Sequence, residues 1–309
     1  MEFPELPEGH RSGFVAVAGR PNVGKSTLVN RLLRQQIAAV SPRPQTTRRK
    51  QLGILTLPNA QVIFVDTPGI HKPLHQLGHR MNREAVETLS DVDLILVMFD
   101  LDQPPNEEDL QVVETILGLP GQVTLLAVLN KVDLVPAERL AERRAAYRTL
   151  LPEADWMTIS AGEGEQVDVL LDTIVELLPP GPQYFPPDQV TDAYERDISA
   201  DLIRAAGMHY LQNEVPHSIA VRIDTFEERE EQGAYIEATL FVERESQKGI
   251  VIGKGGAMLK RIGTHARKEI EAVTGRKVFL RLRVKVLPGW RNDENALRQF
   301  GFQTGKDQS

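Results

Sequence analysis

"FVAVAGRPNVGKSTLVNRLL", residues 14–33, is the stretch that decides the fold. Five apolar residues, with valine at alternate positions, read as a buried strand. Leu28, Val29, Leu32 and Leu33 then recur at helical spacing. Between them, Gly19-Arg20-Pro21-Asn22-Val23-Gly24-Lys25-Ser26 fits G-x-x-x-x-G-K-[ST], followed by Thr27. A strand that turns through glycines into a helix directs backbone N–H groups, and the positive end of the helix, at phosphate oxygens. Lys25 is placed to reach the β and γ phosphates, and the Ser26 hydroxyl to ligate Mg²⁺. A merely structural glycine turn needs neither the lysine nor the hydroxyl.

Outward from this loop, residues 1–178 alternate short β-branched runs with helical patterns. The runs are 14–19, 53–57, 61–66, 93–100, 123–130 and 156–160, and the helical patterns are 25–33, 106–117, 137–150 and 166–178. Several runs are continuously apolar, as in strands buried on both faces of a parallel sheet. The expected fold is an α/β P-loop domain with a doubly wound, mostly parallel sheet, whose ligands bind beyond the carboxyl ends of the strands.

Three companion stretches lie at such strand ends. "DTPG" (Asp66, Thr67, Pro68, Gly69) puts a carboxylate near a Mg²⁺-bound water and the Gly69 N–H near the γ-phosphate. "NKVD" supplies Asn130, Lys131 and Asp133. A carboxylate at Asp133 accepts both N1–H and N2–H₂ of guanine, whereas adenine would leave it unpaired. "SAG" (Ser160, Ala161, Gly162) closes the set, with the Ala161 N–H expected at the guanine O6. The pattern specifies GTP with Mg²⁺. His71, His75 and His79 recur every four residues, but Pro73 interrupts them and no carboxylate or thiol shares their spacing. They are expected to be exposed loop residues, not metal ligands.

Of 309 residues, 41% are hydrophobic and 26% charged, enough for two soluble domains with real cores. No cysteine is present, which removes disulfides, thiolate metal sites and cysteine nucleophiles. No apolar run is long enough to span a membrane, and the acidic, Pro-rich first residues carry no signal-peptide pattern. A cytoplasmic location is expected. The net charge of −7 hides a basic segment: residues 244–291 hold 13 Lys/Arg against 3 Asp/Glu. That asymmetry points to a polyanion partner at one end of the chain.

A Pro-rich stretch, residues 179–191, reads as a semi-rigid linker. Residues 192–309 then follow a different order: a helix (197–212), strands at 218–226 and 234–243, a second glycine loop, a helix (257–273) and a strand (277–286). The loop, "VIGKGGAMLK" (251–260), lacks the Mg²⁺-binding hydroxyl of a second P-loop. Its Gly253-Lys254-Gly255-Gly256 matches the G-x-x-G loop between two helices of a K-homology (KH) domain, and the element order is that of the α+β type II KH fold. Such a loop lies against a single-stranded nucleic-acid backbone. Ile252, Lys248, Lys260, Arg261 and Arg267 complete the expected RNA contacts, with Ile250 and Ile262 walling the groove.

The first domain resembles the translation-factor-related GTPases. That resemblance assigns the first switch to "PQTTRR" (44–49), with Thr47 on Mg²⁺ and the γ-phosphate; Lys25, Thr47, Gly69 and Asn22 are then the residues expected to act in hydrolysis. Where many relatives carry a water-orienting glutamine, this chain has Ile70, so intrinsic hydrolysis is expected to be slow. Asn22 resembles the asparagine through which related GTPases bind K⁺. "GRPNVGKSTLVN", "DTPGIHKP", "FVERESQKGIVIGKGG" and "GWRNDE" (289–294) resemble the Era family of bacterial GTPases over nearly the whole chain. That resemblance implies binding near the 3′ end of 16S rRNA, a role in maturing the 30S ribosomal subunit, a monomer, no DNA partner, and a peripheral contact of the basic face with the cell membrane.

Overall fold

A computed structural model of the chain describes residues 6–41, 43, 46–229 and 233–302. Pro44 and Gln45 of the first switch, and Glu230 and Glu231 of the acidic run at 226–231, lie outside the described residues. The chain divides into two compact units: Met1–Ala38, Thr47–Lys72 and Met81–Asp192 form one, and Ala39–Thr46, Pro73–Arg80 and Ala193–Ser309 the other.

The first unit is built on β1 (Arg11–Ala18), α1 (Lys25–Leu33), β2 (Gln51–Leu57), β3 (Ala60–Asp66), α2 (Gln76–Leu89, of which the residues up to Arg80 are counted in the second unit), β4 (Leu94–Asp100), α3 (Glu107–Leu117), β5 (Thr124–Asn130), α4 (Ala137–Arg148), β6 (Asp155–Thr158) and α5 (Val167–Leu177). The sheet order is β2-β3-β1-β4-β5-β6, and only β2 runs antiparallel to its neighbour. Successive residues of β1 and β4 feed opposite faces. Val15, Val17, Leu94, Leu96 and Met98 join one core, and Ala16, Ala18, Ile95, Val97 and Phe99 join the other. That two-sided burial explains why these runs read as continuously apolar.

α2 is an element that the sequence reading did not identify. Leu77, Met81, Ala85 and Leu89 recur every four residues and are all buried, the stripe of an amphipathic helix. α3 starts where Asn106 accepts from the Glu108 and Asp109 N–H groups, while Asp109 reaches back to the Asn106 N–H.

The Pro-rich stretch is not a free spacer. Ser12 donates from N to the Pro179 carbonyl, and Gly181 donates to His10. The buried Gln61 amide accepts from Tyr184 and Phe185 N–H and donates to the Phe185 carbonyl. Farther on, Ile54 donates to Val190 O (2.7 Å) and Thr191 Oγ1 to Leu52 O (2.7 Å). Polar groups that proline cannot satisfy within regular structure are thus met by β1, by the Gln61 side chain of β3 and by the edge strand β2.

The second unit contains α6 (Glu195–Tyr210), β7 (Ala220–Arg229), β8 (Gly233–Val242), α7 (Glu245–Ile252), α8 (Ala257–Thr274), β9 (Val278–Val286) and α9 (Glu294–Gln299). β7 pairs antiparallel and β9 parallel with the central β8. One face of the sheet packs with α6, α7 and α8 around Ile203, Ile236, Leu240, Val251, Ile262 and Ile270. Trp290, fully buried, donates from Nε1 to the Ser218 carbonyl at 2.8 Å, so "GWRNDE" anchors the fold.

Candidate GTP and RNA sites

α1 opens at Gly24, whose φ of 102° belongs to glycine; a Cβ there would stand 2.3 Å from Asn130 Nδ2. Lys25 is buried and donates from Nζ to the carbonyls of Gly19 (3.1 Å) and Arg20 (3.0 Å), so the ammonium spans the mouth of the loop. Burial lowers its pKa to about 8; Asp66 pulls it upward, and Arg20 adds to the lowering. Phosphate oxygens favour the charged form of such a lysine.

Ser26 Oγ lies 2.7 Å from Asp66 Oδ2 and 2.9 Å from Thr47 Oγ1, and Thr47 Oγ1 lies 3.0 Å from the same carboxylate oxygen. Two hydroxyls and a carboxylate, with no nitrogen or sulfur, are a hard-cation donor set that fits Mg²⁺. Gly69 passes so close to the phosphate loop that a Cβ would come within 2.9 Å of Pro21 N. Ile70 is buried among Ala16, Ala85 and Leu89, so its side chain has no part in aligning a water molecule.

Several residues sit differently from expectation. The Arg20 guanidinium turns away to Asp109 (3.2 Å) and Asp100 (3.6 Å), and Lys131 Nζ meets Asp100 at 2.6 Å. Only backbone atoms of Arg20 face the loop. The Thr67 hydroxyl is spent on Val17 O, and the Ser160 hydroxyl accepts the Glu163 N–H. The Ala161 N–H, expected at O6, donates instead to Asn130 Oδ1 at 2.9 Å, while Asn130 Nδ2 donates to Val23 O at 2.7 Å. A buried amide has to place both its ends, and Asn130 does so by stapling the phosphate loop to the "SAG" loop. Arg31 of α1, missed in the sequence, donates from Nε to Ala161 O and from NH2 to Gly162 O. Asp133 is exposed on a single 3₁₀ turn, its carboxylate making none of these contacts. His71, expected on the surface, is buried with Nδ1 2.8 Å from Gly69 O, because Asn82 holds its backbone on both sides.

In the second unit, α7 ends at Gly253 (φ 72°), and α8 follows after Gly255 (φ 58°) and Gly256 (φ 82°). A Cβ on Gly253 would meet Met258 N at 2.9 Å, whereas Gly255 and Gly256 face open space. Lys254 is exposed on this loop, beside the half-buried Ile252. Ile250 is 51% exposed, leaving apolar surface beside the loop where a base can lie, whereas the exposed Phe279 stacks on Tyr235 on the other face of the sheet. Ile262 is wholly buried, a core residue and not a groove wall: it sits on the inward stripe of α8 with Ala266 and Ile270. Lys248 pairs with Glu245 (3.5 Å) and Arg267 with Glu271 (3.2 Å), so both expected phosphate contacts are already partnered along their own helices.

These features define a P-loop GTPase joined to an RNA-binding KH fold. A family model described as a 50S ribosome-binding GTPase matches residues 14–131, and a KH-domain model matches 214–291. The structure of an Era protein in complex with MgGDPNP and nucleotides 1506–1542 of 16S ribosomal RNA is 38% identical; the match covers 96% of this chain and 100% of that one, with a TM-score of 0.90. An Aquifex aeolicus Era point variant bound to GDP·AlF4⁻ is also 38% identical over 95% of this chain and 100% of its own, with a TM-score of 0.87. The chain belongs to the Era family and is a GTPase that uses GTP, GDP and Mg²⁺.

Proposed function

We propose that this chain is a nucleotide-controlled RNA-binding switch, with a G domain at 1–178, a strapped connector at 179–191 and a KH domain at 192–309. Its RNA target is single-stranded and lies near the 3′ end of 16S rRNA, and its role is in building the small ribosomal subunit. The carrying observation is that a guanine- and Mg²⁺-compatible site and an open, positively charged G-x-x-G loop occur in one chain. The Era relative that binds both MgGDPNP and 16S nucleotides supports this reading.

In hydrolysis, Lys25 and the backbone N–H groups of residues 22–26 hold the β and γ phosphates, and Asp133 reads the base. Ser26 and Thr47 would ligate Mg²⁺ and Asp66 its water, which supplies charge neutralisation across the phosphates. Gly69 N–H meets the γ-phosphate. With Ile70 buried, alignment of the water falls to backbone groups or a partner, and Asn22, exposed on the loop at φ 65°, is the residue this reading assigns to K⁺. Hydrolysis in KCl is then expected to exceed that in NaCl. A peripheral contact of the KH face with an anionic membrane in the cytoplasm belongs to the same reading; among the described residues no helix is long and apolar enough to cross a membrane.

Fluorescence anisotropy of a labelled 16S 3′-end oligonucleotide, with GTP analogue or GDP, tests the switch. Gly253 substitutions are a poor control because they collide with α8, so the paired variant Lys254→Asp with Gly255→Asp is preferred. Tighter binding with the analogue, lost in that variant, is expected. Equal affinity in both nucleotide states would leave an RNA chaperone whose hydrolysis is incidental.

A further inference from the structure

Most arginines of the basic segment are neutralised: Arg276, Arg281, Arg283 and Arg291 each pair with a glutamate, as Arg267 does. Lys260, Arg261 and Lys268 make no such pair among the described residues. All three lie on one stripe of α8, two helical turns long, beginning directly after the G-x-x-G loop. They line a cavity of about 370 Å³ between α8 and the end of α6, with Tyr210, Thr264 and His265, and no acidic side chain takes part in the lining.

The walls are ordered. Arg261 sits over Tyr210, its guanidinium carbon 4.3 Å from the ring centroid. Tyr210 Oη is 3.2 Å from His265 Nδ1, and His265 stacks on His209 with centroids 5.4 Å apart. The Thr264 hydroxyl donates to Lys260 O, which leaves its lone pairs facing outward as acceptors. A guanidinium packed on one face by tyrosine keeps its other face for a planar, electron-rich partner, and a nucleobase is one. Lys260, the residue before Arg261, and Lys268, about two turns after it on the same helix, supply counter-charge for a phosphate.

We propose that this cavity is a second RNA subsite, holding one unpaired nucleotide of the strand that leaves the G-x-x-G loop. The base stacks on Arg261, and Lys260 and Lys268 take the flanking phosphate. The proposal rests on the KH reading for the path of the strand, but on its own residues for the site.

Anisotropy on the full chain bound to GTP analogue distinguishes the two. A five-nucleotide RNA that fills the groove is compared with RNAs extended by three nucleotides at either end. Extension at one end is expected to tighten binding about tenfold, and Arg261→Ala, or Lys260→Ala with Lys268→Ala, to abolish that gain. The double lysine variant should also flatten the slope of log K against log salt by about 0.7, the value for one phosphate on a single strand. Arg261→Lys, which keeps the charge and loses the flat face, should recover little. Unchanged binding of extended RNA by these variants would overturn the subsite. Equal weakening on the short RNA would assign the charges to the groove instead, and loss of binding only to phosphatidylglycerol vesicles would assign them to a lipid surface. If Lys254→Asp with Gly255→Asp leaves the short RNA bound, the loop reading fails while the cavity result stands. A wild-type chain that binds neither RNA removes both.

Discussion

The reading proposed for this site assigns the choice of base to Asp133, an exposed carboxylate with no hydrogen-bond partner among the described residues. Both oxygens are therefore free to accept from guanine. Asp133→Asn replaces one acceptor by an N–H₂ donor, which opposes N2–H₂ of guanine and suits the 2-oxo group of xanthine. GTP affinity should fall by about two orders of magnitude, roughly 3 kcal/mol, while XTP affinity rises. Titration with fluorescent analogues of both nucleotides measures this, and retention of GTP preference would remove Asp133 from base reading. The residue types of this site were legible because each sits at a fixed offset from a strand end. What was not legible is how buried polar atoms share partners: Asn130 takes the Ala161 N–H, Asp100 and Asp109 take Arg20, and neither follows from the motif. Tertiary neighbours arriving from other elements set those bonds.

At the scale of elements, the strands and the helix after the P-loop could be read because their apolar periods are clean. α2 escaped because Gly78 and the nearby histidines and Pro73 mask a regular stripe of four apolar residues. That helix carries Glu84, whose carboxylate accepts the Lys50 N–H at 2.8 Å. Burial raises its pKa, against that bond and the charges of Lys50 and Arg49, which lower it. The raised folded value means that the charged form is penalised at neutral pH, and that the penalty is absent below the unfolded pKa of about 4.3. Glu84→Gln keeps an acceptor and removes the charge. It should stabilise the chain at pH 7, with the difference fading as pH falls towards 4; denaturant titrations at the two pH values decide it.

The connector makes a second case. Its proline content was visible, but its attachment was not, because the bonds that fasten it come from Gln61, some 120 residues earlier. Gln61→Ala would strand two N–H groups and a carbonyl under the strap. A loss of about 2–4 kcal/mol is expected in equilibrium unfolding. A loss under about 0.5 kcal/mol would show that water replaces the amide at no cost.

For the whole molecule, the sequence separates a nucleotide-binding half from an RNA-binding half, and the order of motifs gives that division directly. It does not show that Ala39–Thr46 packs with the second unit while Thr47, the next residue, belongs to the first. Ala39 lies in the core of the KH fold, Arg43 donates to Leu211 O at 3.1 Å, and the buried Arg204 of α6 donates to Thr46 O while pairing with Asp201 at 2.7 Å. Thr47 stands at the Mg²⁺-compatible site. Thr47, at that site, therefore directly follows a residue whose carbonyl is held by the KH fold. A ligand shifts a conformational equilibrium only through a difference in its affinity for the two states, and such a difference needs a physical link. Arg204→Ala removes the grip on Thr46 and leaves the phosphate loop, Asp133 and the G-x-x-G loop in place. Nucleotide affinity should stay within about twofold, while the RNA affinities measured with GTP analogue and with GDP converge. If the variant keeps the wild-type ratio between the two states, the signal passes by another route; if it loses RNA binding in both, Arg204 is holding up the KH fold, and circular dichroism of the variant will show it.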